Sequence, residues 1–75
     1  MKKIIDGLMY DTEAATEIYV DSKNSRKYYQ TEKGNFFCFF SNGEIKPISE
    51  KSMRDFLGEV SVDTYIRVFE MPELA

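Results

Sequence analysis

Phe36-Phe37-Cys38-Phe39-Phe40 is the stretch whose reading decides the fold. Its apolar side chains run unbroken between the polar residues Asn35 and Ser41. Side chains of a strand alternate, so Phe37 and Phe39 point to one face while Phe36, Cys38 and Phe40 point to the other. An antiparallel sheet covered on one side normally alternates apolar with polar residues, and this strand does not. Two readings follow. Either the N-terminal hairpin covers the second face, or that face is an exposed aromatic patch that takes a partner protein or another copy of the chain.

Working outward from this strand, Lys27–Thr31 pairs with it across Glu32-Lys33-Gly34-Asn35, where Gly34 takes the left-handed position. Asn42-Gly43 reads as a two-residue turn into Glu44–Ile48. Asp6-Gly7 gives the same signal between Lys2–Ile5 and Leu8–Tyr10, because a type I′ turn needs φ > 0 at both central residues. Thr16–Val20 is a further strand, Thr12–Ala15 a helical turn and Asp21–Arg26 a polar loop.

The periodicity changes after Ile48. Ser49 can cap a helix over about 50–58, with Met53, Phe56, Leu57 and Val60 on one face and Gly58 ending or loosening it. Ser61 caps a second helix over 62–70, with Val62, Tyr65, Ile66 and Phe69 repeating the spacing and Pro72 stopping it. Asp63 in its first turn complements the helix dipole. The expected fold is α+β: one domain over residues 1–75, an antiparallel β-meander of short hairpins (strands within about 2–48), then two C-terminal helices packed on one face.

Composition sets limits on function. A chain of 75 residues buries only about 60% of its unfolded surface, and six Phe and five Tyr are an efficient core filling for that size. A single cysteine, Cys38, forms no internal disulfide, which together with the absence of a signal-like or membrane-spanning apolar run points to the cytoplasm. The chain has no histidine, so the side chain best suited to proton transfer near neutrality is missing. One cysteine builds no thiolate metal cluster, and no phosphate-binding glycine loop occurs. Asp6, Asp11 and Glu13 lie close together in sequence but match no calcium loop. Neither enzyme activity nor a cofactor or metal is expected, and Cys38 among aromatics reads as core filling rather than a reactive thiol.

Binding residues remain. The candidates are Phe36 and Phe40, on one face of the aromatic strand, and Arg26, Lys27 and Tyr28, from the basic segment Lys23–Tyr29. Cations beside aromatics can hold a single nucleic-acid strand through phosphate contacts and base stacking, whereas a net charge of −3 opposes non-specific nucleic-acid binding. A protein partner is therefore the first reading, with a homodimer through the aromatic strand as one form of it. A nucleic-acid-binding regulator using residues 23–29 is the alternative.

The opening Lys2-Lys3-Ile4-Ile5-Asp6-Gly7-Leu8-Met9-Tyr10-Asp11-Thr12-Glu13, followed by Ala15 and Ile18, resembles a family of short accessory proteins from phages and conjugative elements of Gram-positive bacteria. Their outline begins K-K-I-I-N-G-x-x-Y-[DN]-T-E, continues through an aromatic hairpin (here Tyr29 to Phe40) and ends in an acidic helical segment (here Ser49 to Phe69). This chain departs from it in carrying Asp6 in place of Asn and a shorter middle. The resemblance implies a non-enzymatic protein of a mobile element, such as an anti-CRISPR-like inhibitor that occupies the surface of a host defence nuclease. It transfers no functional residue.

Overall fold

Asp6 and Gly7 adopt φ of 51° and 79°, the left-handed pair that a type I′ turn needs. They close β1 (Lys2–Ile5) onto β2 (Leu8–Asp11), with Ile5 opposite Leu8. In the computed structural model, which describes Met1–Ala75, this hairpin is a two-stranded sheet of its own. One turn follows it: the Ala14 and Ala15 amides donate to the Asp11 carbonyl, and the Glu13 amide donates to the Asp11 carboxylate.

β3 (Thr16–Asp21), β4 (Arg26–Gln30), β5 (Phe36–Phe40) and β6 (Ile45–Ile48) form a second antiparallel sheet in chain order. Its last two turns share one hydrogen-bond pattern. Thr31 N–H donates to the Asn35 carbonyl and Gly34 N–H to the Thr31 carbonyl; Phe40, Gly43 and Glu44 repeat the arrangement. Gly34 and Gly43 sit at φ 91° and 90°, where a Cβ would be strained. Asn42 is not left-handed, so Asn42-Gly43 is not the expected two-residue turn. The loop lengthens to Ser41–Gly43, and β6 begins at Ile45.

Both faces of this sheet are covered, as the first of the two readings of Phe36–Phe40 requires. On one side Ile18, Tyr28, Phe36 and Cys38 pack against Met53 and Leu57 of α1 (Glu50–Val60). Phe69 of α2 (Val62–Phe69) lies 5.4 Å from Phe36, ring to ring. On the other side Phe37, Tyr29 and Ile45 pack against Tyr10 of the hairpin. A bulge between Glu17 and Tyr19 brings Ile18 and Tyr19 into the same helix-side cluster, which a regular alternation would forbid.

Two expectations about the helices need correction. Gly58 does not end α1, which runs on to Val60; Ser61, which accepts the Thr64 amide, is both its C-cap and the N-cap of α2. The buried side of α2 is also rotated from the expected stripe. Tyr65, Val68 and Phe69 pack on the core and Thr64 is buried, while Val62 is 60% exposed. The extended backbone of Ser61 separates the two helices, so the apolar stripe of α2 starts in a new phase.

Candidate partner-binding surface

The structure separates the five candidate residues. Phe36 is 3% exposed and Tyr28 is 5% exposed, so neither presents a binding surface. Phe36 lies under α2, and Tyr28 packs at 4.7 Å against the Phe56 ring of α1, tilted by 33°. Both share the face that the apolar helix sides seek, and the helical layer closes over them. β5 is also an interior strand, hydrogen-bonded to β4 and β6. No further copy can pair along it, and a homodimer through the aromatic strand would have only the Phe40 end left to use.

That end is built for contact. Alternation puts Arg26, Cys38, Phe40 and Lys46 on the helix side of the sheet, with Arg26 directly opposite Phe40 and Lys46 opposite Cys38. Helix contacts fall at the Phe36–Cys38 end, leaving Phe40 half-buried at the margin. The Arg26 guanidinium lies over the Phe40 ring at 5.0 Å and the Lys46 ammonium at 5.6 Å, within the range of cation–π attraction. These cations arrive from the two strands that flank β5, and neither forms an ion pair. Asp21, the cross-strand neighbour of Arg26, is held by the Asn24 side-chain amide at 2.9 Å. That hydrogen bond, with a smaller contribution from Arg26, keeps its carboxyl below the usual range.

Lys27 points to the opposite face and pairs with Glu17 at 3.7 Å, an exposed contact worth little. Tyr29 is buried too, stacked on Phe37 at 5.0 Å. The basic segment therefore offers no free tyrosine face on which a base could stack. Lys46 is the residue that sequence reading missed. It sits beside Pro47 with no motif around it, and only the three-residue Ser41–Gly43 loop sets the register that brings it to Phe40.

Nucleophile and metal candidates resolve simply. Cys38 is 3% exposed, and burial pushes its thiol above the ordinary value. Burial likewise raises the Tyr28 hydroxyl. Asp11 is engaged as the cap of the turn after β2, and Asp6 holds the hairpin tip; no three carboxylates or thiols converge as metal ligands.

A second exposed surface lies on the hairpin. Ile4 and Met9 face each other across its outer side, 71% and 59% exposed. No helix is long and apolar enough to cross a membrane. Compared with protein-family models, curated proteins and solved structures, the chain matches none.

Proposed function

We propose that this chain is a non-enzymatic protein-binding module that works in the cytoplasm and takes an acidic or aromatic element of its partner at the Arg26–Phe40–Lys46 cluster. The observation that carries this reading is a half-buried aromatic ring with an unpaired cation from each flanking strand. Arg and aromatic groups at the margin of a packed core have the composition of interface hot spots. The cations already occupy the surroundings of the ring, and the neighbouring tyrosines are core residues. Both facts favour a protein partner over base stacking.

The finer reading is an inhibitor of a host defence nuclease carried by a mobile element. It rests on the resemblance of Lys2–Glu13 and on the acidic charge of the helices and the tail that follows them. Glu59, Asp63, Glu70 and Glu73 form no ion pair, and such charge suits a basic surface built to receive nucleic acid.

Affinity capture from a bacterial lysate tests this, with the native chain and Arg26→Ala/Lys46→Ala as parallel baits, each with and without nuclease treatment. A protein retained after nuclease by the native chain and lost from the double variant is the expected result. Capture that disappears with nuclease, or that ignores the double substitution, would sink the assignment.

A further inference from the structure

The outer edge of β1 is a self-complementary pairing site, and we propose that two copies of this chain join there, β1 against β1, into one four-stranded ribbon sheet. This inference does not depend on the cation–aromatic cluster. It begins from the hydrogen-bond phase of the hairpin. A two-residue type I′ loop makes Ile5 and Leu8 the first hydrogen-bonded pair, and bonded pairs then recur at every second position. Thr12 N–H donating to the Met1 carbonyl at 3.0 Å fits that phase. The N–H and C=O groups of Lys2 and Ile4 therefore point away from β2, toward an edge with no neighbouring strand. Lys2, Lys3 and Ile4 are all exposed, so nothing in the molecule covers this edge.

An antiparallel pairing centred on Ile4 satisfies the edge. Ile4 N–H donates to the carbonyl of the partner's Ile4, and the reverse bond forms by symmetry. The same register brings Lys2, at the start of β1, beside the partner's turn residue Asp6, and the reverse by symmetry, so opposite charges meet at each end of the paired edge. Ile4 and Met9 share a face within each hairpin, so pairing lines them up as a continuous apolar row across four strands. Shifting the centre to Lys3 would place two like charges directly opposite, which selects the Ile4 register.

Growth stops at two. The contact is isologous and uses up β1 on both copies. On β2 the Asp11 carbonyl already accepts from Ala14 and Ala15, so the outward acceptor at one end of that edge is taken. A four-residue edge is small beside standard protein interfaces, so the dimer is weak and concentration-dependent.

Sedimentation velocity over a concentration series, together with amide exchange, tests the proposal on the full chain. The expected result is a doubling of mass at high concentration, with slower exchange at the Ile4 amide. Ile4→Pro removes an outward N–H from an edge position that tolerates proline, and it should leave a monomer with an unchanged circular dichroism spectrum. Lys2→Glu should weaken association at least tenfold through an exposed side chain, which keeps the test decisive if Ile4→Pro misfolds. A native chain that stays monomeric at millimolar concentration overturns the proposal. So does a dimer whose Ile4 amide exchanges as fast as in the monomer, or one that forms equally well in Lys2→Glu.

Discussion

Cys38 shows how context decides what a residue does. A thiol in a small protein can be a nucleophile or a core atom, and here the cover of α1 makes it the latter. Its folded pKa is raised by burial, while an unfolded thiol ionises near about 8.5. Stability from this group is fully present below that pH and declines as pH rises through the folded value, because only the unfolded chain gains from ionisation. A thiol reagent at pH 8 should therefore leave the native protein unlabelled and label it at the rate of unfolding; fast labelling of the folded chain would contradict the packing. Gly58 carries a prediction of the opposite sign. It lies inside α1, exposed and without a left-handed φ, and a Cβ there would meet Tyr65 only at 3.9 Å. Gly58→Ala should stabilise the fold by about 0.5–1 kcal/mol, read as a rise in the thermal midpoint.

At the scale of elements, the open edge of β3 depends on a helix. Arg67 Nη2 donates to the Ile18 carbonyl at 2.7 Å from α2, satisfying a backbone group at the bulge that no neighbouring strand reaches. Removing a charged donor from a part-buried carbonyl costs about 1.5–3 kcal/mol. Arg67→Met keeps much of the stem and loses the donor, so chemical denaturation should show a loss of that size, with the slope against denaturant unchanged. A neutral outcome would mean that water replaces the guanidinium without cost. Neither the bulge nor this contact could be read from the chain, since residues 18 and 67 meet only after α2 has docked. The strands, by contrast, were legible nearly to the residue, because Gly7, Gly34 and Gly43 mark turns wherever their backbone φ must be positive. Gly58 has no such requirement, which is why its reading as a helix end failed.

On the scale of the whole molecule, three layers share one sheet, and Tyr10 fastens the outermost. Its ring meets Phe37 edge-on at 5.5 Å, and it is the hairpin residue buried most deeply in the second core. A chain of this size holds roughly 4–11 kcal/mol of stability, and truncating a large buried ring costs about 3–5 kcal/mol. Tyr10→Ala should therefore remove much of the total and free the hairpin from the sheet. Nuclear magnetic resonance should then show the Phe37 and Tyr29 rings losing their ring-current shifts while the β5–β6 pairing persists. Retention of those shifts would show that the hairpin is held by other contacts.

Phe36-Phe37-Cys38-Phe39-Phe40 by itself determined that a strand lies here and that both its faces need cover, since phenyl rings on either side of a pleat cannot all remain in water without a large hydrophobic penalty. The turn glycines and the helical spacing of Met53, Phe56 and Leu57 added the order of elements. Only the tertiary structure decided which layer takes which face, that Phe36 and Tyr28 fall beneath the helices, and that Lys46 reaches Phe40. Strand periodicity says which side chains share a face but not what that face meets. Loop length fixes the register between strands, and one residue more at Ser41–Gly43 changes which side chains become neighbours.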